Sequence, residues 1–206
     1  MRTLTPELHQ HFLTRAKRVS GALASALEAI GPIGYHRRST SDLGVHPARM
    51  VVGQQLSTHA ASTIWGRVTT AVGESQVLEF CIPDNYDTLR GCGLSNNKVK
   101  ALLSLRDAEA AGALNVKALS KLTTLERNTA LVRLRGIGPW TADMVSMFFF
   151  HEPDIWPLGD LAVRKTFERY VSADARHDVE TGAALFAPYR SFLALYMWRI
   201  ANNGPL

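Results

Sequence analysis

The chain has 206 residues, 46% of them hydrophobic and 20% charged, with a formal net charge of +5. That suffices for one domain or two small ones with a proper core, and it argues against disorder. No stretch reaches the roughly 20 apolar residues of a membrane span. His9, His11, Arg15, Lys17 and Arg18 interrupt any apolar signal core. The expectation is an intracellular protein with a polyanionic partner. Cys81 and Cys92 make neither a CxxC pair nor a ligand set and read as buried thiols.

Pro6 opens a helical pattern that runs to about Ile30, where Gly31-Pro32-Ile33-Gly34 stops it. Residues 35 to 46 are polar, basic and loop-like, the clearest connector in the chain. Pro47 suits a first helical turn, so PARMVVG reads as a short apolar helix. Ser57 is placed to cap a helix to about Val72, and Ser95 to cap another ending at Gly112. Between them Asp84 to Arg90 reads as a shorter helix, and Val116 to Lys121 as another.

Thr123 stands three residues before Glu126, a capping-box spacing. Leu125, Leu131, Val132 and Leu134 then offer apolar contacts up to Arg135-Gly136-Ile137-Gly138-Pro139. The helix after it, Pro139 to about His151, is apolar on most sides and belongs in a core. Asp160 to Tyr170 forms the next helix, and Pro188 starts the last, YRSFLALYMWRI. With no period-2 strand pattern and no internal repeat, the expected fold class is all-α.

Gly136 and Gly138 allow backbone conformations that side chains forbid. A helix beginning at Pro139 leaves N-terminal amides without internal partners and presents its positive dipole end. Together they can hold a phosphate oxygen through backbone N–H groups, with Arg133, Arg135 and the Thr141 hydroxyl adding contacts. Such a grip ignores base identity, so it suits a protein that must bind any duplex sequence. A lone GxG is more often a plain helix-turn-helix corner in a bundle, and it is the helix–GIGPW–helix setting in a basic chain that favours the phosphate grip.

LRGIGPWTADMVSMF followed by DIWPLGDLAVRK resembles the helix-hairpin-helix DNA glycosylases, and most of all their alkylpurine branch, 3-methyladenine DNA glycosylase II. Trp140-Thr141-Ala142 close the hairpin as that branch does, and Asp160 follows Trp140 at the family spacing of the catalytic aspartate. VVGQQLSTHAASTIWGRV resembles the family segment that inserts a side chain into the duplex, which makes Gln55 the wedge with Gln54 and Leu56 beside it. GLSNNKVKALLSL resembles a third block, with Asn97 where a basic residue is common. The likeness covers roughly residues 45 to 200, and the family's N-terminal β-rich domain has no counterpart.

The resemblance implies two helical subdomains with a DNA-binding cleft between them: about 1–34 plus 150–206, and about 45–149 carrying the helix-hairpin-helix at 123–150. It implies a monofunctional enzyme of base excision repair that flips out alkylated purines of the 3-methyladenine and 7-methylguanine type, hydrolyses the N-glycosidic bond and leaves an abasic site. Its partner is double-stranded DNA and the chain acts as a monomer, in the cytoplasm or nucleoid of a bacterium or the nucleus of a eukaryote. A DNA- or lesion-binding protein without chemistry, or a glycosylase for deaminated bases, are the alternatives.

Cleaving the bond develops positive charge on the sugar, and a carboxylate there can stabilise the cation or align a water. By position alone Asp160 reads as a helix N-cap, a role that coexists with catalysis. Asp143, Glu152 and Asp154 read as solvated or structural. Where strand-cleaving relatives carry a lysine, this chain has Trp140, and no terminal four-cysteine cluster for iron–sulfur binding is present. By the resemblance Trp140 and Trp198 stack the flipped base and Met144 stands where a tyrosine can line its pocket; Trp65 and Trp156 are assigned to packing. No cofactor is required. The family's structural Na+ or K+ would fall on the carbonyls of Val132, Leu134 and Ile137.

Overall fold

The computed structural model describes residues 3–35, 43–73, 76–171 and 177–203, and among them the chain is all-α. Its helices are α1 (Pro6–Val19), α2 (Gly21–Ile30), α3 (Val45–Gly53), α4 (Thr58–Val72), α5 (Val77–Phe80), α6 (Tyr86–Gly91) and α7 (Asn96–Ala110). They continue with α8 (Val116–Leu119), α9 (Thr124–Leu131), α10 (Pro139–Phe148), α11 (Leu161–Val171), α12 (Val179–Ala184) and α13 (Arg190–Asn203). An isolated antiparallel bridge joins Thr3 and Gly34. The connector expected over 35–46 falls mostly on residues outside those described.

The chain divides into two compact units, Met1–Arg37 with His151–Leu206, and Arg38–Phe150. In the first, the single helix expected over 6–30 is two. Ser20 is extended at φ −163° and ends α1, while its hydroxyl accepts from the Leu23 N–H at 3.2 Å and starts α2. A serine followed by glycine offers the backbone that alternative more cheaply than another helical turn. Phe12, Phe167, Phe186, Phe192 and Tyr196 fill this unit's core, all fully buried, with the Phe12 and Phe186 rings 5.2 Å apart. Tyr196 donates to the Gly31 carbonyl at 2.8 Å and pairs with His9 Nδ1 at 2.8 Å, so this deep hydroxyl is satisfied. The last helix starts at Arg190, two residues beyond Pro188, which follows a cis bond.

In the second unit the caps fall where the sequence places them. Ser57 accepts from Ala60, Ser95 from Lys98, and Thr123 and Glu126 form both bonds of a capping box. Val51, Val52, Val68, Leu89, Leu94, Leu102, Leu105, Leu131, Ile137 and Val145 form one core, with Cys81 and Cys92 buried as free thiols. Two expectations fail. Leu125 is 79% exposed and Val132 is also at the surface, because α9 turns its Leu131 and Arg127 face inward instead. The segment expected as one helix over 84–90 opens with a tighter 3-10 turn, Pro83–Asn85, before α6.

Candidate active site and nucleic-acid interface

The hairpin of the second unit is locked from below. Gly136 lies at φ +86°, and a Cβ there would come within 2.5 Å of the Ala101 Cβ on α7. Glycine is therefore needed twice, for its left-handed backbone and for the close approach. Gly138 differs from the expectation. Its φ of −89° and ψ of 174° suit any residue, and a Cβ there meets open space. What the missing side chain leaves is access to the start of α10, where Gly138 offers no side-chain cap to the first amides.

Gln54 ties the hairpin to the segment after α3. Its Nε2 donates to the Gly136 carbonyl at 3.0 Å and to the Thr141 hydroxyl at 3.1 Å. Thr141 is 1% exposed. In the free chain the Thr141 hydroxyl thus accepts an internal bond, and Gln54 braces the hairpin. Ile137 is buried in the core, so any contact it makes with a phosphate runs through its backbone. Arg133 and Arg135 stay exposed.

Gln55 is exposed and sits at φ +58°, a left-handed conformation unusual for a side-chain-bearing residue. Leu56 beside it is 38% exposed. Lys98, at the third position of α7, reaches over and donates to the Val52 and Gln54 carbonyls at 2.8 and 2.9 Å. Sequence reasoning missed this lysine. Its one signal is location, since a cation in the first turn of a helix opposes the dipole and needs another reason to be there. A cavity of about 350 Å³ next to this segment is lined by Trp140, Leu56, Met50, Gly53, Ala61 and Arg49. Trp65 takes the Arg49 guanidinium at 6.0 Å from its ring centroid, the packing assignment made for it. Met144 is buried on α10.

The α9–α10 pair also holds a polar chain. Ser146 donates to Asn128 Oδ1 at 2.6 Å, and Asn128 Nδ2 donates to Asp143 Oδ1 at 2.8 Å. Burial pushes the Asp143 carboxyl up to about 6, against the lowering effect of the Asn128 bond. It is a structural acid within the hairpin scaffold.

In the first unit, Asp160 is held at the mouth of α11. Its Oδ1 accepts from the Val163 N–H at 2.9 Å, its carbonyl from Arg164 at 3.0 Å, and its own N–H donates to the Pro157 carbonyl at 2.8 Å. The residue is only 9% exposed. The loop that delivers it is anchored on α13. Arg190 grips Asp154 with Nε at 2.7 Å and Nη2 at 2.8 Å, and the Ser191 hydroxyl donates to the Glu152 carbonyl and accepts from Ile155 N–H. That grip holds the Asp154 carboxyl below its usual range. Trp156 packs edge-on against Phe167 at 5.3 Å. Trp198 is half-buried beside Ile30, Pro32, Ile33 and Leu195, lining a cavity of about 430 Å³.

No protein-family model matches the chain. It is 28% identical over 161 residues to a Bacillus subtilis protein provisionally named DNA-3-methyladenine glycosylase, covering 73% of this chain and 56% of that one. It is also 28% identical over 163 residues to DNA-3-methyladenine glycosylase 1 of Schizosaccharomyces pombe, covering 75% and 70%. The chain thus spans little more than half the length of the first relative. The S. pombe 3-methyladenine DNA glycosylase solved with abasic DNA superposes with a TM-score of 0.73 at 24% identity, over 90% of this chain and 95% of that one. The chain is thus similar in sequence to DNA-3-methyladenine glycosylases and shares its fold with one of them.

Proposed function

We propose that the chain is a monofunctional DNA glycosylase that removes alkylated purines, of the 3-methyladenine and 7-methylguanine type, and leaves an abasic site. The observation that carries this reading is Asp160, fixed by the Val163 N–H at the start of α11 on a loop pinned by Arg190 and Ser191.

The chemistry asks little of the protein. An N3- or N7-alkylated purine is cationic and already a good leaving group, so one carboxylate is enough. As the C1′–N bond breaks, the base takes the bonding pair and leaves neutral. The Asp160 carboxylate stabilises the positive sugar, and a water forms the new C1′–O bond as the carboxylate helps remove its proton. Trp140, in place of a lysine, supplies no amine for a Schiff base, so the strand is left intact.

Binding comes from the hairpin. The open start of α10 at Gly138 gives its first amides and dipole to a phosphate, with Arg133 and Arg135 adding charge. Gln55 is the wedge that fills the place of the departed base, and Trp198 is the stacking face for it. A cationic base gains about 0.5–2 kcal/mol over an indole face. Double-stranded DNA with alkylated bases is the partner, met by a monomer. The Val132, Leu134 and Ile137 carbonyls are hard oxygen donors of the kind a Na+ or K+ takes; Leu134 already accepts from Ile137 N–H, which uses one of its two lone pairs. Such an ion would brace the hairpin and takes no part in bond breaking. Among the described residues, no helix is long and apolar enough to cross a membrane.

The test is incubation with methylated genomic DNA and identification of the freed bases. Free 3-methyladenine is the expected product. Release of uracil or 8-oxoguanine alone would overturn the substrate class, and strand cleavage during turnover would overturn the monofunctional assignment.

A further inference from the structure

The left-handed backbone of Gln55 needs a cause. Elsewhere among the described residues, His151 is the other non-glycine with positive φ. Such a conformation lies above the ordinary wells and persists only where its surroundings over-determine it. On one side the segment is held by the Gln54 side chain, bonded to Gly136 and Thr141. On the other side stands Lys98, with Nζ between the Val52 and Gln54 carbonyls.

The electrostatics favour that placement. Val52 and Gln54 lie at the end of α3, where carbonyls lack internal partners and the dipole is negative. An ammonium there satisfies two carbonyls at once and brackets Gln55 from the residue directly before it. Leu56 N–H closes the far side on the Gly53 carbonyl at 3.2 Å. The side chain is part-buried, so the bonds are shielded from water.

We propose that Lys98 is the positioning residue for duplex opening: it holds the 53–56 segment in the left-handed turn that aims Gln55 outward. The proposal rests on the reading of Gln55 as the wedge. Lys98 touches neither the base nor the scissile bond. It acts through the backbone of the wedge.

The test has two arms. In the free protein, hydrogen exchange at the Leu56 amide reports the turn directly. Lys98→Met is expected to speed that exchange roughly tenfold, the scale of a lost charge-assisted bond. In the second arm, 2-aminopurine placed beside a tetrahydrofuran abasic analogue brightens when the duplex is opened. Lys98→Met is expected to cut the rise by about half or more, with Lys98→Arg restoring part of it. In a Gln55→Ala background, Lys98→Met should add nothing, the non-additivity of residues acting as one unit.

Leu56 exchange within about twofold of wild type would overturn the proposal, as would an equal loss of fluorescence in both backgrounds. Should Lys98→Met not fold, Lys98→Gln, which keeps an uncharged amide donor, is read by the same criteria. A wild-type protein that produces no brightening would strike the glycosylase reading, while the exchange arm still decides the role of Lys98 in the turn.

Discussion

Ala101 leaves no room for a side chain at Gly136: a Cβ there would lie 2.5 Å from its own Cβ. The hairpin is thus seated on α7 by direct backbone approach. Gly136→Ala is expected to cost about 2–4 kcal/mol, from the left-handed strain and the clash together. Gly138→Ala should stay within about 1 kcal/mol of wild type, yet bind duplex DNA roughly tenfold more weakly, because its Cβ obstructs the phosphate rather than the fold. Thermal melts paired with DNA titrations separate the two. Equal destabilisation by both would refute the distinction.

Asp160 is both a cap and the proposed catalyst, and one substitution splits the roles. Asn caps a helix as well as Asp does, so Asp160→Asn should melt like the wild type. Its base release should fall by about 10²-fold or more while binding to abasic-site DNA persists. Near-wild-type excision by this variant would sink the proposed mechanism.

Asp143 makes the hairpin scaffold pH-dependent. Its carboxyl is raised to about 6 by burial, so the folded chain holds a proton that the unfolded chain releases near 4. The stability it contributes is full below about pH 4 and is lost as pH rises through about 6. Asp143→Asn, which still accepts the Asn128 bond, should therefore gain about 1 kcal/mol at pH 7.5, discounted for partial exposure, and nothing near pH 4. A gain independent of pH would contradict this.

The Asp154–Arg190 pair works in the opposite sense. Arg190 holds the Asp154 carboxyl below its usual range, so its contribution is full above about pH 4 and is lost as pH falls through the depressed value. Asp154→Ala should cost about 1–2 kcal/mol at neutral pH and flatten the acid limb of the stability curve. Because the same loop carries Asp160, kcat for base release should drop roughly tenfold with little change in KM. A change in KM alone would place the effect in binding instead.

Much of the site was legible because its signals are local. The Ser57, Ser95 and Thr123 caps each bridge three residues, and the glycines, Pro139 and the interval from Trp140 to Asp160 are matters of spacing. Helices α5 and α12 were not expected, although α6 and α8, of the same lengths, were. The break at Ser20 was lost inside an apolar pattern that continues across it.

The sequence by itself determined the fold class, the hairpin and the aspartate that opens α11, because those depend on neighbours along the chain. Only the tertiary structure decided which groups hold them in place. Lys98 lies 46 and 44 residues from the carbonyls it binds, Gln54 lies 82 from Gly136, and Arg190 lies 36 from Asp154. Such bonds form only when packed helices bring distant backbone together, and no periodicity or motif spacing encodes which polar atoms will then face each other.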